Sequence, residues 1–514
     1  MRLEFSIYRI YDSCNVIQSI MNVEIELKLR VPHSSLARLG RHPLLKSGKR
    51  AVGLCSIYFD TPGLELKSKA IALRLRKEGR NWVQTFKGGG GVLAGVHTRN
   101  EWEFPVSKGS PDFTKLDDPF LIGIFSDETL RRNLEPIFFT EFSRKTVPVE
   151  YDGSVIEYCL DRGRVVSNER EEPISEIELE LKSGNPSALF EFALELQKTA
   201  PLFVEGTSKA ERGYSLYLGH AYNRVKKASI ADLDRKMDVA ESFREILRGC
   251  MEQLQGNVKG FLDGEEDPEY LHQMRVGLRR MRSAFSLFSG HFGRQSFSEI
   301  IPELRWLGTE LGPARNWDVF VFETISVIEK SMAGQCDLDD LRKASQLVRK
   351  QHAENAFAAL SSQRFQTLLL KLGSALCNPS WPAGERLRAA DFAERMLDRR
   401  YRRFVREGEN ITALGPVQLH ALRISGKKLR YAAEFFSTLY PNPRDFLKAM
   451  AGIQDVLGAV NDAATTNHLL EELPGVEQGP KCLVRGWVGS EARNRIAQAG
   501  SQWKAFGGIM PFWR

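Results

Sequence analysis

The chain has 514 residues, of which 42% are hydrophobic and 27% charged, and its formal net charge is +7. This length favours more than one domain, and the composition is that of a globular protein, which excludes a disordered or fibrous chain. Seven scattered cysteines without a CxxC pair argue against a disulfide framework and indicate a reducing, cytoplasmic location, and no apolar run reaches the roughly 18 residues of a membrane span.

The first 20 residues precede the first strong pattern and are expected to be an N-terminal extension, because they lack the apolar core and cleavage site of a signal peptide. From residue 21 to about residue 220, short β-rich segments alternate with Gly and Pro clusters. This pattern predicts an α+β domain. Gly88–Gly91 is expected to form a flexible hairpin turn and not a phosphate-binding loop, because no Gly-Lys-Ser/Thr follows it.

Charged residues alternate with apolar ones in several of these segments. In Glu24-Ile25-Glu26-Leu27-Lys28 the charges fall two residues apart, so on a strand they share one face. A solvated sheet surface would explain one such strand, but four in one domain favour a closed sheet with a charged interior. Carboxylates would hold Mg²⁺ or Mn²⁺ there, and Arg and Lys would neutralise phosphoryl oxygens. The other three alternating segments are Arg74 with Arg76; Arg99 with Glu101 and Glu103; and Glu176 with Glu178 and Glu180.

Six elements that occur in order resemble the CYTH superfamily, the triphosphate tunnel metalloenzymes. The resemblance covers residues 21–220 and implies an antiparallel β-barrel whose tunnel binds a triphosphate. Members of this superfamily include inorganic triphosphatases, thiamine triphosphatase and class IV adenylate cyclases. The elements are Glu24–Lys28, which is similar to the ExExK signature, Leu73–Arg76, Gln84–Lys87, Leu160-Asp161, Glu176–Lys182 and Ser208–Tyr214.

The same resemblance implies roles for individual residues. The cations expected to bind phosphoryl oxygens are Lys28, Arg74, Arg76, Lys87, Arg144 and Lys209. The glutamates expected to bind the metal are Glu24, Glu26, Glu178 and Glu180. The residues assigned to catalysis are Lys28, Lys87 and Asp161. Glu176 shares the strand face of Glu178 and Glu180, where the family pattern uses two glutamates, and Glu101 and Glu103 are candidates for a supporting role.

The second half of the chain carries an internal repeat. Residues 221–235 are expected to be a linker, and residues 236–514 show long amphipathic helical patterns. A His residue followed by cations occurs twice with the same spacing, and each copy is followed by a Leu-Gly pair and polar residues. This repeat predicts an all-α bundle built from two related halves. The repeated residues are His272, Arg275, Arg279 and Arg282 in the first copy and His420, Arg423, Lys427 and Arg430 in the second.

On a helix, the cations of each copy lie on one side and the apolar residues lie on the other. A solvated basic face would explain one such helix, but the duplication favours an anionic ligand, because crowded cations repel each other. Over residues 236–470 the pattern resembles a CHAD domain, an α-helical bundle with conserved histidines. The resemblance implies that both rows, together with Arg315, bind inorganic polyphosphate.

The combined prediction is a multidomain protein that hydrolyses tripolyphosphate to pyrophosphate and phosphate and that binds polyphosphate. An adenylate cyclase, or a nucleoside or thiamine triphosphatase, remains an alternative, because the tunnel charges fit any triphosphate. A non-catalytic polyphosphate-binding scaffold is a second alternative. No membrane partner is expected. Specific nucleic-acid binding is not expected either, because the basic helices lack interleaved aromatic residues and a recognition-helix motif.

Overall fold

The structure is a computed structural model that describes residues 23–45, 50–79, 81–219, 224–378, 387–473 and 475–514. The expected N-terminal extension, and residues 221–223 of the expected linker, lie outside the described residues. The chain forms two compact units: residues 1–223 with 363–379, and residues 224–362 with 380–514. In the described ranges, no helix has the length and apolar character needed to cross a lipid bilayer.

One antiparallel sheet of nine strands forms the centre of the first unit. The strands follow the order β5-β4-β3-β2-β6-β7-β8-β1-β9, and β1 also pairs with β5, so eight strands close into a ring. The predicted closed antiparallel sheet is confirmed. The strands are β1 (Val23–Arg30), β2 (Val52–Asp60), β3 (Ile71–Glu78), β4 (Asn81–Leu93), β5 (Val96–Val106), β6 (Glu135–Tyr151), β7 (Ser154–Ser167), β8 (Arg170–Ser183) and β9 (Phe203–Val204).

β1 closes the ring because it pairs along both edges. Its first half pairs with β5 and its second half with β8, while β9 pairs with β1 at Leu29 and Arg30. The ring is therefore not a strict barrel, since β5 and β9 share one edge of β1. Because side chains alternate along a strand, Glu24, Glu26 and Lys28 face the interior, and the apolar residues between them are buried on the other side.

The glycine run lies inside a strand, so the expected hairpin turn at Gly88–Gly91 was wrong. The register between β4 and β5 shifts between Gly88 and Gly91, which is a β-bulge. Gly90 has a φ of 77°, and a Cβ atom there would lie 1.7 Å from the carbonyl oxygen of Thr98. The turn itself is formed by Ala94 and Gly95, whose φ angles of 54° and 82° are typical of a type I′ hairpin turn.

Four helices of the first half pack against the ring: α1 (Pro119–Phe125), α2 (Glu128–Arg132), α3 (Ser187–Gln197) and α4 (Lys209–Leu218). Short helical turns occur at Leu36–Leu39 and Glu65–Ser68. α3 contacts β1 and β8. α4 contacts β6, β7 and β8, and it begins with a capping box between Ser208 and Glu211 that places Lys209 in the first turn.

The rest of the chain is helical, as predicted. A π-helical stretch, Val319–Ile325, connects α8 to α9. All of these helices except α11 belong to the second unit. The helices are α5 (Val239–Gln255), α6 (Val258–Leu262), α7 (Glu269–Phe292), α8 (Ile300–Asp318), α9 (Ser326–Ser331), α10 (Asp339–Leu360), α11 (Gln363–Cys377), α12 (Ala389–Gly408), α13 (Pro416–Phe435), α14 (Arg444–Glu471) and α15 (Gln478–Gly507).

The second unit contains two corresponding sets of helices. α5 packs on α7 and α7 contacts α8, and in the same way α12 packs on α13 and α13 contacts α14. The residues just before α5 and α12, Asp238 and Arg388, pair in an antiparallel bridge. α7 and α13 carry the repeated cation rows and contact each other. The repeat in the sequence therefore corresponds to a repeat of helix packing.

α11 is a helix of the second half of the chain that packs on α3 of the first unit. The side-chain oxygens of Gln363 and Gln366 accept hydrogen bonds from the backbone N–H groups of Leu202 and Val204, at 3.1 and 2.9 Å. The sequence prediction placed these residues in the 236–514 segment, whereas their contacts group them with the first unit. The chain crosses between the two units three times as a result.

Candidate functional site

The strand ring encloses a cavity of about 700 Å³. All six predicted phosphate-binding cations and all four predicted metal-binding glutamates line this cavity, whereas Asp161 and Glu176 do not. The charged groups in its wall are Lys28, Arg74, Arg76, Lys87, Arg99, Arg144, Lys182, Lys209, Glu24, Glu26, Glu101, Glu103, Glu178 and Glu180. The interior thus carries eight cations and six carboxylates.

The pairing of β1 with β8 sets two carboxylates side by side. Glu26 lies directly opposite Glu180, and Lys28 lies opposite Glu178. Like charges at directly opposite positions repel each other. The Lys28 ammonium contacts Glu26 at 2.6 Å and Lys182 contacts Glu180 at 2.6 Å, which partly relieves this repulsion. Burial still raises the pKa of Glu180, so a further positive charge would stabilise this wall.

Glu178 is surrounded by cations. The Lys28 and Lys209 ammonium groups lie 2.5 and 2.9 Å from its carboxylate, and Arg144 also pairs with it. Burial alone would raise the pKa of Glu178, but Lys209, Lys28 and Arg144 outweigh it and hold the pKa well below its usual range. Burial would likewise lower the pKa of Lys28, but Glu178 and Glu26 reverse this and raise it. These groups therefore stay charged at neutral pH.

Asp161 lies behind the cavity wall and is fully buried. Its carboxylate accepts two hydrogen bonds from Arg144, at 2.7 and 2.6 Å, and one from Lys209 at 2.7 Å. Oxygen atoms of Asp161, Glu176 and Glu178 lie within 4.8 Å of one another, as in a metal site, but the Lys209 ammonium contacts all three. This cluster therefore already holds its cation, and Asp161 orients Arg144 and Lys209 from behind.

The two arginines of β3, Arg74 and Arg76, differ in their negatively charged partners. Arg74 lies 3.5 Å from each of Glu101 and Glu103, which are long contacts. Within the described part of the chain, Arg76 has no carboxylate within 4 Å, and its contact is with the Ser56 hydroxyl at 3.3 Å. Burial, followed by repulsion from neighbouring arginines, lowers the pKa of Arg76 to about 10. An anion is the partner that Arg76 lacks.

Arg99 lines the cavity but is missing from the predicted site. Its guanidinium lies 3.2 Å from Nδ1 of His97 and 3.4 Å from Glu211. Burial, with repulsion from Lys28 and Arg99, lowers the pKa of His97 to about 3, so this imidazole is neutral. The alternation of Arg99 with Glu101 along β5 was the signal that could have identified it, because all three charges of that strand share one face.

In the second unit, the two cation rows meet where α7 contacts α13. Burial lowers the pKa of Lys427 to about 7, together with repulsion from Arg423, Arg279 and Arg275. Asp462 opposes this shift. Arg275 in turn has its pKa lowered to about 10 by burial, Arg279 and Arg315. Arg423 donates a hydrogen bond to Asn461 at 3.0 Å. The structure thus gathers five cations, the converging cluster, from both halves of the repeat: Arg275, Arg279, Arg315, Arg423 and Lys427.

Four of the predicted polyphosphate residues have other surroundings. Arg282 is exposed, and its pKa is lowered by burial of part of the side chain and by Arg305. Arg430 pairs with Glu434 at 2.7 Å, and His420 is exposed. His272 lies at the border of the converging cluster. Burial, followed by repulsion from Arg315 of the cluster, lowers its pKa.

The chain thus combines a closed antiparallel ring with a charged interior and a helical bundle of two repeated halves. This architecture defines a two-domain protein. The CYTH domain family matches residues 22–214, and the CHAD domain family matches residues 245–471. The chain therefore contains a CYTH domain followed by a CHAD domain.

Among similar proteins, an inorganic triphosphatase of Haemophilus influenzae is 36% identical over 205 residues, which are 39% of this chain and 56% of that protein. The chain thus spans about half the length of this curated relative. The CHAD domain of the plant Ricinus communis is 30% identical, with a TM-score of 0.49, over 56% of this chain and 98% of that one. A Hippeastrum protein described as an adenylyl cyclase candidate with a dominant triphosphatase activity is 19% identical, with a TM-score of 0.32, over 38% of this chain and 96% of that one.

Proposed function

We propose that the CYTH domain hydrolyses inorganic triphosphate to pyrophosphate and phosphate with the help of a divalent metal, and that the CHAD domain binds inorganic polyphosphate. The observation that carries the first proposal is the cavity that joins a carboxylate wall to buried cations, one of which, Arg76, has no carboxylate within 4 Å among the described residues. Similarity to an inorganic triphosphatase supports the choice of substrate.

The carboxylate wall fits a hard divalent cation such as Mg²⁺ or Mn²⁺. Glu24, Glu26 and Glu180 offer oxygen donors, and the direct opposition of Glu26 to Glu180 is relieved by added positive charge. Glu178 was predicted as a fourth ligand, but Lys28, Lys209 and Arg144 already engage it, so we assign it chiefly to orienting these cations. When bound, the metal would polarise phosphoryl oxygens and neutralise their charge.

The arginines of the cavity wall would bind the phosphoryl oxygens of the substrate. Arg76 is the strongest candidate, because a phosphate would supply the partner that it lacks. Arg74 and Arg144 extend the same surface. We assign Lys28 and Lys87 to stabilising the charge that develops during cleavage, because carboxylate neighbours raise the pKa of both above its usual value despite burial. Asp161, placed behind the wall, acts through Arg144 and Lys209 as a positioning residue.

The lining of the cavity favours an inorganic substrate over a nucleotide. Among the described residues that line it, Tyr58 is the only aromatic side chain. An adenylate cyclase, or a nucleoside or thiamine triphosphatase, needs contacts for an aromatic ring in addition to the phosphates. A non-catalytic scaffold would not need to keep Glu26 and Glu180 directly opposite each other, because like charges at such positions repel.

The proposal for the CHAD domain rests on the converging cluster. Burial and neighbouring cations lower the pKa values of Arg275, Arg423 and Lys427, and Asp462 only partly opposes the shifts of the last two. Arg315 is the member that pairs with a carboxylate, Glu323, at 2.7 Å. A flexible linear polyanion can contact cations from both halves at once, and each cation neutralised adds to the affinity. Stiff duplex DNA, whose phosphates are held on a rigid rod, should follow this cluster less well, so no specific nucleic-acid partner is proposed.

Phosphate release from tripolyphosphate, ATP, thiamine triphosphate and long-chain polyphosphate, measured with Mg²⁺ or Mn²⁺ and with EDTA, tests the enzymatic proposal. We expect metal-dependent release that is fastest with tripolyphosphate and that Arg76→Ala reduces. Arg164→Ala is the matched control, because Arg164 is an exposed arginine on β7 that pairs with Glu141. A folded chain that is inactive toward the whole panel would refute the proposal, and cyclic AMP as the main product would favour the cyclase.

Polyphosphate binding is tested on the full chain by anisotropy of labelled long-chain polyphosphate in EDTA. The variant Arg275→Ala/Arg279→Ala should weaken binding strongly, and binding should fall with added salt. The control Lys448→Ala/Lys504→Ala removes two exposed cations from α14 and α15. Equal loss in both double variants would show that net charge alone governs the interaction.

A further inference from the structure

A second cationic groove lies in the CHAD domain between α12, α13 and the end of α7, with a volume of about 490 Å³. It is distinct from the converging cluster. On α13, Lys428 lines this groove, whereas Lys427 belongs to the cluster, and consecutive residues on a helix point about 100° apart. The cations of the groove are Arg395, Arg399, Arg400, Arg403 and Lys428.

No carboxylate lines this groove among the residues that the structure describes. Arg403 pairs with Glu407 at 2.6 Å, and Arg400 donates a hydrogen bond to the backbone carbonyl of Lys428. Burial, with repulsion from Arg399, lowers the pKa of Arg400 to about 10. The groove can therefore bind an anion without a metal, whereas the cavity of the first unit has carboxylates that a metal would neutralise.

The other part of the groove is apolar. Phe392, Met396 and Leu287 line it, and so does Ile424, which is 42% exposed on α13. The ring of Phe392 is fixed by stacking on Phe288, with 4.9 Å between the ring centroids. These four side chains form an apolar surface next to Arg395 and Arg399, and a contiguous apolar surface bordered by polar groups is typical of a ligand-binding groove. A bare phosphate chain would leave this apolar part uncovered.

The size of the groove agrees with a small organic ligand, because such sites typically measure about 300–1,000 Å³ and combine apolar walls with a few polar groups. Ser286, Ser289 and Ser425 also line it. The hydroxyls of Ser289 and Ser425 donate to backbone carbonyls, so their oxygens can accept hydrogen bonds from a sugar or a base. The required ligand carries phosphates at one end and a flat, largely apolar ring at the other.

We propose that this groove is a metal-independent binding site for a nucleoside polyphosphate, with its phosphates on the arginines of α12 and its base against Ile424 and Phe392. It is a binding site and not a second catalytic site, because it has no carboxylates that could hold a divalent metal. The proposal is independent of the triphosphatase proposal, since it concerns different residues in the other domain.

Equilibrium dialysis of radiolabelled ATP against the full chain in EDTA tests the proposal. All proteins carry Arg74→Ala/Arg76→Ala, which removes two cations of the tunnel so that binding there is weakened. We expect Arg395→Glu/Arg399→Glu to lower the ATP affinity about tenfold or more, because two charge-assisted contacts are lost and repulsion is added. The control Lys448→Glu/Lys504→Glu has the same change in net charge on α14 and α15 and should lower the affinity much less.

The neutral variant Ile424→Asn examines the apolar part of the groove. It should weaken ATP binding while leaving tripolyphosphate binding unchanged, and unlabelled tripolyphosphate should displace ATP about tenfold less effectively than unlabelled ATP does. Thermal unfolding confirms that each variant is folded. Three results would overturn the proposal: unchanged ATP affinity in the α12 variant, equal loss in both charge-reversal variants, or tripolyphosphate that competes as well as ATP.

Discussion

Lys427 gives the proposed polyphosphate site a dependence on pH. Its neighbours are Arg423 on its own helix, Arg275 and Arg279 on α7, and Asp462 on α14. Burial and the three arginines lower the pKa of Lys427 to about 7, from an ordinary value of 10.5, and Asp462 only partly opposes them. A bound polyanion would restore the ordinary value, because it favours the charged ammonium. Binding should therefore be accompanied by proton uptake near neutral pH.

The sign and size of the effect follow from this pKa. Below pH 7 the ammonium is already charged and the affinity is at its highest. As the pH rises through 7, the free protein loses the proton and the affinity falls by about tenfold for each further pH unit in the limit of full coupling. Since Lys427 is partly exposed, screening by water and salt reduces the effect, and we expect a loss of about three- to tenfold between pH 6 and pH 8.

The assay is the anisotropy of labelled long-chain polyphosphate at constant ionic strength, with the wild type, Lys427→Arg and Lys427→Met. Lys427→Arg should keep high affinity at both pH values, because a guanidinium retains its charge. Lys427→Met should bind more weakly at pH 6 and show little change with pH. If the wild type and both variants had the same pH profile, the reasoning about Lys427 would be refuted.

Three further predictions concern the CYTH domain. Glu26→Gln should raise the metal concentration needed for half-maximal activity by about tenfold and lower kcat, and an unaltered metal titration would show that this carboxylate is structural. Arg76→Ala should raise KM by about ten- to a hundredfold with a smaller effect on kcat, since a charge-assisted hydrogen bond contributes about 1.5–3 kcal/mol; an effect on kcat alone would contradict ground-state binding. Asp161→Asn should lower the melting temperature by about 10 °C, because breaking a buried ion pair costs about 3–5 kcal/mol; an unchanged melting curve, like that expected for the surface variant Glu141→Gln, would refute its buried role.

The period-two alternation of charges was enough to predict most of the cavity wall. In β1, β3 and β8 it specifies which side chains share a face, and closure of the sheet then brings those faces together. The depth of Asp161 could not be predicted, because it depends on its register with Arg144 across β6 and β7. The separation of Glu176 from the cavity likewise depends on the contact that Lys209 makes from α4, a helix distant from it in the sequence.

The helical half was predictable in its repeat but not in its contacts. Spacing alone predicts that the cations of each copy share one helix face. The contact between α7 and α13 then brings only some of these cations together in the converging cluster. Arg430 has a carboxylate one helical turn away, in Glu434, which draws it into a local pair. Arg395 and Arg399 lie on α12, which is rich in arginine but has no His-centred motif, so the sequence alone does not mark them as a site.

The position of α11 has a consequence for how this protein could be divided or recombined. α3 and α11 pack so closely that a Cβ atom on Gly373 of α11 would lie 2.1 Å from the Phe190 ring of α3. A CYTH domain truncated at residue 220 would lack α11, so the apolar face of α3 would be exposed to water. The remaining CHAD domain would keep α11 without the helix on which it packs. The segment that completes the first unit lies within the sequence of the second unit. Exchange of either unit between proteins must therefore preserve three chain junctions and not one.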